Sequence, residues 1–554
     1  MAPAAFWGGL PYFNQNRFHI SGCCGIGEKS LSFVAGHKNE HPILTPDTFK
    51  MTNKMTDLKK HIGSLLVLML TCMGLSAQIQ QPGTRPNPAQ QAMIKRGYGM
   101  FIHFGVNTFA DVEWSDGTIP AEKYNPTQLD PDQWVRTARD AGFRYVLLIT
   151  KHHDGFCLWN SQYTTYDVAA SPVKTDVVKA VADACRKYGL QFAVYYSLWD
   201  RHEPSYKDKN PQVYIDYMLK QLTELFTQYG PICELWLDGG WDRKPQDWGI
   251  DQIYRLVKKF NPACAVSVNH TIVNEEGKRK YTPPSEMTVD DKYFFQYFPS
   301  DFRLWDPKII TRFDKKQYLH EGKSYYMPFE HTLCISHRWN WFQKSAQLPA
   351  RELDELEELF YWCTDNDNAL VVNIPPDQTG RIREYEALTA ISLGKRLGLA
   401  MNKPLPGNGR FISALKPVQA SSVWEEKGKR YEGALVTDGN LDSRWASRDT
   451  LASLEITLNA NEPFNKISIF EYKDTKNLPD GFSQVRLPRI QEYTVDILQN
   501  GRWETIFLGH EPMGDCKVIR LPRSYKTGSL RFRVLKASAP PSIYEISVID
   551  LDKR

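Results

Sequence analysis

The chain has 554 residues, 42% hydrophobic and 24% charged, enough for two or three globular domains and too apolar for a disordered protein. Its 68 Lys and Arg against 64 Asp and Glu leave a net charge of +4 with no long basic block, which argues against a nucleic-acid partner. Aromatic residues reach 12%; that richness fits a large aromatic core as well as it fits clefts that stack sugar rings.

Residues 1–50 show no clear periodicity. Met55 then opens Met-Thr-Asp-Leu-Lys-Lys-His, followed by the apolar run Gly63–Leu75 and by Ser76-Ala77 before Gln78. A basic start, a short apolar stretch and small residues describe a secretory signal peptide over 55–77, cut after Ala77. Residues 1–54 then read as an upstream extension, with the true start at Met51 or Met55. The run is short for a membrane span, so the mature chain is expected to carry no transmembrane anchor and to be secreted or periplasmic, of bacterial type. Thr71 ahead of Cys72 is a poor lipoprotein signal. Seven cysteines remain after the cut, mostly inside apolar runs and without a CxxC pair. Neither a disulfide framework nor a zinc site is expected.

Residues 78–91 are rich in Pro and Gln and read as a linker. Over 92–401, strand-like runs alternate with helical patterns. The runs are Gly99–Phe104, Tyr145–Thr150, Phe192–Ser197, Cys233–Asp238, Ala265–Asn269, Tyr325–Glu330 and Ala369–Ile374. The helical patterns include Pro131–Gly142, Asp176–Tyr188 and Pro211–Tyr229, with Gly stops. Repeated strand–helix alternation predicts parallel strands with crossover helices, here an α/β TIM-like (β/α)8 barrel. After a Pro/Gly linker at 402–411, short alternating strands over 412–554 predict a β-sandwich of jelly-roll type.

In such barrels the chemistry sits where strands end. The runs end in His103, Lys151-His152-His153-Asp154, Ser197, Asp238, Asn269 and Glu330. Asp238 closes an apolar run and precedes two glycines, which would let the chain turn and leave the carboxylate open to substrate. The plainer reading is a helix cap. His103, His152 and His153 could together hold a metal ion by count, but their spacing matches no HExxH pattern.

In sequence order, Phe101-Ile-His103-Phe-Gly, Glu113-Trp114, Lys151-His152-His153-Asp154-Gly-Phe, Tyr195-Tyr196-Ser197, Leu235-Trp-Leu-Asp238-Gly and Asn368-Ala-Leu-Val-Val-Asn-Ile-Pro-Pro resemble the motifs of glycoside hydrolase family 29, the retaining α-L-fucosidases. The resemblance runs from about Lys95 to Leu399. It implies Asp238 as nucleophile, and a sugar pocket of His103, Glu113, Trp114, His152, His153, Tyr196 and Trp339. It implies an acid/base glutamate as well, with Glu330 first, Glu286 second and Glu275 third. Two carboxylates across the scissile bond are what double displacement requires. No cofactor is expected, and the substrates are fucosylated oligosaccharides or glycoproteins. The rivals are a noncatalytic fucose-binding protein on the same fold and a barrel glycosidase for a related sugar such as a galactoside.

Val418-Gln-Ala-Ser-Ser, Ala434-Leu-Val-Thr-Asp438-Gly-Asn440 and Ser443-Arg-Trp-Ala-Ser resemble a discoidin (coagulation factor 5/8 type C) domain, a fold shared with family 32 carbohydrate-binding modules. This second resemblance implies a possible structural calcium near Asp438 and Asn440, and a sugar-binding role that many such domains lack.

Overall fold

The computed structural model describes residues 80–274, 293–305, 309–314, 316–337, 339, 341–342, 348–477 and 484–552. The expected signal peptide and its upstream extension lie outside the described residues.

The first helix, α1 (Pro88–Arg96), starts inside the stretch expected as a linker. Asn87 and Gln90 cap it reciprocally, and a proline stands at its first turn. The barrel follows in chain order as β1 (Tyr98–Ile102), α2 (Pro131–Asp140), β2 (Tyr145–Lys151), α3 (Val177–Tyr188), β3 (Gln191–Ser197), α4 (Pro211–Gln228), β4 (Ile232–Asp238), α5 (Ile250–Phe260), β5 (Ala265–Val268), β6 (Arg303–Leu304), β7 (Phe329–Cys334), α6 (Leu353–Thr364), β8 (Ala369–Asn373) and α7 (Glu384–Leu397). The eight strands are parallel, in the order β5-β4-β3-β2-β1-β8-β7-β6. Among the described residues no α-helix follows β5 or β6, so the barrel departs from strict strand–helix repetition. The hairpin of Gln317–His320 and Lys323–Tyr326 stands there instead.

The seam between β5 and β6 is closed by Asp301. Its N–H donates to Val266 O at 2.7 Å, and its Oδ2 accepts from Val266 N at 2.9 Å. Lys258 Nζ holds the same oxygen at 2.7 Å. These bonds pair backbone groups that the two-residue β6 is too short to satisfy.

Side chains alternate across the barrel wall, as period two requires. Phe101, Leu147, Ala193, Tyr195, Trp236 and Val371 fill the interior, while Met100, Ile102, Leu148, Val194, Leu235 and Val372 pack under the helices.

The second domain is two packed antiparallel sheets. In chain order its strands are β9 (Arg410–Phe411), β10 (Val418–Ala420), β11 (Trp445–Ala446), β12 (Ser453–Thr457), β13 (Phe464–Glu471), β14 (Ile490–Gln499), β15 (Arg502–Gly509), β16 (Cys516–Tyr525), β17 (Ser529–Ala537) and β18 (Ser542–Asp550). One sheet runs β9-β18-β13-β16 with β11 against β18, and the other runs β10-β12-β17-β14-β15. Ile467, Ile469 and Val548 of the first meet Leu454, Val495 and Phe532 of the second in one core. The linker expected at 402–411 thus ends in a strand, Arg410 pairing with Asp550.

Barrel and sandwich share a buried charged seam. Lys466 Nζ on β13 lies 2.8 Å from Glu357 Oε1 of α6 and also meets Glu358, with all three side chains at most 2% exposed. Phe470, Cys516 and Val518 join the barrel's own core. The seven described cysteines are free, and all but Cys233 are buried.

Candidate active site

Asp238 is the last residue of β4. Gly239 follows at φ 83°, and a Cβ there would come within 3.2 Å of Trp199 and His153. Only glycine turns the chain this way beside those rings. Asp238 Oδ2 accepts from the Tyr195 hydroxyl at 3.0 Å, and Oδ1 accepts from Asn269 Nδ2 at 3.1 Å. These donors favour the carboxylate, yet burial outweighs them and pushes its pKa up to about 6.

Three histidines lie at the same end of the barrel, His153 beside it. His152 and His153 follow the end of β2 in a turn, so both rings lie on one side with centroids 4.3 Å apart rather than on opposite faces. Gly155 at φ 94° makes that turn, and a Cβ on it would strike Asp200. His153 Nε2 lies 3.6 Å from Asp238 Oδ2 while its Nδ1 meets Ser197 Oγ at 2.6 Å. His103, just beyond β1, holds Asn373 Oδ1 with Nδ1 at 2.9 Å; an amide oxygen only accepts, so Nδ1 carries the proton and Nε2 keeps its lone pair. Burial lowers all three pKa values, His152 to about 3, so the rings are neutral hydrogen-bonding groups. Among the described residues the three do not form a metal-spaced group; the one that does is His337, Glu355 and Asp515, elsewhere.

Aromatic rings wall the cleft. Trp339 stands edge-on to His103 at 4.5 Å, Trp341 lies 5.0 Å from His152, and the half-exposed Trp114 lies 5.9 Å from His153. Trp199 and Trp241 complete the ring around His153. Burial and the Asp238 charge push the Glu113 pKa up to about 7. The indole N–H groups of Trp199 and Trp341 have no partner among the described residues. A pocket of neutral imidazoles, indole faces and idle donors around Asp238, with Glu113 near it, suits a polyhydroxylated ring.

Two expected site residues lie elsewhere. Glu330 is the second residue of β7, level with the first residue of β8, so it sits at the N-terminal end of the barrel, opposite Asp238. Pro328 interrupts the run Tyr325–Glu330: residues before it belong to the outer hairpin, and β7 begins after it. Glu330 is 1% exposed and accepts from Tyr145 OH at 2.9 Å and Trp236 Nε1 at 3.1 Å. It cannot reach a leaving group at the mouth. Tyr196 is also corrected: it points outward beneath α4, where Lys151 Nζ reaches its hydroxyl at 3.0 Å and Gln221 Oε1 accepts from that hydroxyl at 2.7 Å. Its neighbour Tyr195 takes the interior position. Glu286 and Glu275 lie outside the described residues.

Tyr195, Asn373, Trp241 and Trp341 escaped the sequence reading. Tyr195 could have been found by carrying the in–out alternation through β3. Trp241, three residues past Asp238, needed the turn geometry.

The alpha-L-fucosidase family profile matches residues 107–398, more than half of the chain. "Alpha-L-fucosidase 1" of Arabidopsis thaliana is 29% identical over 499 residues, covering 86% of this chain and 90% of its own. A relative from Oryza sativa subsp. japonica is 30% identical over 438 residues, covering 76% of this chain and 77% of its own. The crystal structure of SpGH29 superposes with a TM-score of 0.50 at 24% identity, over 86% of this chain and all of that one, a likeness of fold. With its barrel, its single carboxylate at the end of β4 and these matches, the chain belongs to the alpha-L-fucosidase family and is a glycoside hydrolase.

Proposed function

We propose that the protein is an exo-acting, retaining α-L-fucosidase that releases terminal α-L-fucose from oligosaccharides or glycoproteins by double displacement. The observation that carries this reading is the Asp238 carboxylate, aimed by Tyr195 and Asn269 into a cleft of neutral histidines and tryptophans. Asp238 attacks the anomeric carbon and the leaving oxygen takes a proton from a glutamate. Water activated by that same glutamate then opens the fucosyl-enzyme. His103, His152, His153, Glu113, Trp114 and Trp339 hold the sugar. With Glu330 in the barrel floor, Glu286 becomes the first candidate for the acid/base and Glu275 the second.

Turnover of 4-nitrophenyl α-L-fucoside, followed by proton NMR, tests the reading. α-Fucose should appear first. Early β-fucose would rule out a nucleophilic Asp238, and no turnover would favour a fucose-binding protein. Among Glu286→Ala and Glu275→Ala, only the acid/base variant should regain turnover with azide and yield fucosyl azide of retained configuration. Equal behaviour of the two would remove both candidates.

The reading includes export, with a mature chain that begins near Gln78; no described helix is long and apolar enough to cross a membrane. It also includes a structural calcium at the Asp438–Asn440 turn of a discoidin-like domain. Burial pushes Asp438 and Asp442 up to about 6, a strain that a cation would relieve. A chelator that leaves the melting temperature unmoved would remove the calcium.

A further inference from the structure

We propose that the sandwich domain completes the site that holds the leaving group, so that the enzyme reads a neutral oligosaccharide beyond the fucose. This rests on the fucosidase reading above.

The observation is a cavity of about 590 Å³ between the two domains, within the volume range of small-ligand sites. Its wall includes Glu113 and Trp339, both of the barrel mouth. Trp339 stands against His103, and Glu113 feels the charge of Asp238. Its wall also includes Arg486, Asp515, Glu471 and Tyr544 of the second domain, with residues 331–334 of β7. An exo-acting enzyme buries only the terminal sugar, so the rest of the substrate lies outward of that sugar, along the mouth. Two residues of that mouth, Glu113 and Trp339, belong to the cavity's wall.

The chemistry of the walls selects among ligands. Asp515 is held by Arg486 at 2.7 Å, Lys473 at 3.1 Å and His337 at 3.4 Å. Glu355 binds Arg351 at 2.6 Å through Oε1, while its Oε2 has no partner although the residue is only 6% exposed. His337, Glu355 and Asp515 have the spacing of a metal site. Arg351, Lys473 and Arg486 already pair those carboxylates and would repel a divalent ion. An anionic ligand would meet Glu113 and Glu471, which also line the cavity and stand outside those pairs. Sugar hydroxyls both donate and accept, so paired carboxylates and guanidinia suit them, and the faces of Trp339 and Tyr544 suit pyranose C–H groups. A neutral polyhydroxylated chain is therefore the ligand these walls fit.

The test compares Arg486→Ala and Tyr544→Ala with the parent on 4-nitrophenyl α-L-fucoside and on the best substrate from a panel of neutral fucosylated trisaccharides. The readout is the ratio of kcat/KM for the trisaccharide to that for the aryl fucoside. It should fall about tenfold in each variant, as expected for a lost charge-assisted hydrogen bond or ring contact. Inhibition by the defucosylated disaccharide should weaken by a similar factor, with inhibition by free L-fucose as the internal reference. Arg486→Lys should recover part of the ratio. Melting curves identify any variant that fails to fold, and Tyr544→Ala stands in for Arg486→Ala in that case. A ratio that stays within twofold of the parent in folded variants overturns the proposal, as does an equal fall on both substrates. If the parent cleaves neither substrate, the fucosidase reading fails instead. Calorimetric titration with the disaccharide then reads the cavity directly, and a parent that does not bind it also overturns the proposal.

Discussion

Replacing Glu330 with glutamine separates its place in the barrel floor from a catalytic role. Arg96, Glu234 and Glu330 form a sealed cluster there. Arg96 Nη2 pairs with Glu234, and the two side chains are 3% and 0% exposed. The groups facing Glu330 are Glu234, Arg96, Tyr145 and the Trp236 N–H, with the Cys233 thiol nearby. One cation serves two carboxyls, so burial and the Glu234 charge hold the Glu330 pKa well above the ordinary carboxylate value, and Glu330 keeps its proton.

A protonated carboxyl and an amide are near isosteres, so Glu330→Gln keeps an acceptor for the Trp236 N–H and a donor toward Glu234, while the Tyr145 hydroxyl turns to accept from the amide nitrogen. The pH dependence has a definite sign. The unfolded chain ionises Glu330 near 4.5 while the folded chain does not, so the parent loses stability as pH rises from there to the folded pKa. Each such pH unit costs about 1.4 kcal/mol. Glutamine has no proton to lose, so its stability relative to the parent should grow as pH rises above about 4.5. Glu330→Ala should instead lose about 2–4 kcal/mol, from the cavity and from the orphaned Trp236 and Tyr145 groups. Thermal unfolding across pH, with kcat/KM on a natural fucoside, measures both effects. A folded glutamine variant that loses a hundredfold or more of its activity, restored by azide, would return Glu330 to the mechanism. A stability advantage that shrinks with rising pH would refute the buried proton.

The Asp238 nucleophile must be ionised, and burial raises its pKa to about 6, so kcat/KM should fall tenfold per pH unit below that value; a flat profile down to pH 4 would contradict this. Asp238→Gly should lose several powers of ten in activity and recover part of it with azide. Tyr195→Phe removes a donor that steadies the Asp238 carboxylate, so the acid limb should move upward, whereas Tyr196→Phe should cost about 1–3 kcal/mol of stability by disturbing Lys151 and Gln221 and leave that limb in place. Lys466→Met strips the buried Glu358 of its cation, and unfolding should show a loss of about 3–5 kcal/mol; a loss below 1 kcal/mol would mean the inter-domain seam is not stabilised as described.

The sequence by itself determined the barrel and the place of Asp238. Strands β1 to β5 and β8 are short apolar runs that end in polar residues, and the Gly-Gly after Asp238 announces a turn. Such signals are local, because hydrophobic periodicity and glycine turns act within a few residues. Choosing Tyr195 over Tyr196 required the wall's in–out register, which is set by the neighbouring strands. Putting Glu330 in the floor required knowing that β7 begins only after Pro328. Glu357 and Glu358 of α6 are buried against Lys466, more than a hundred residues away. Arg96 and Glu234 are likewise 138 residues apart in the chain. These carboxylates are buried where a distant cation meets them, and that meeting is made by the tertiary fold.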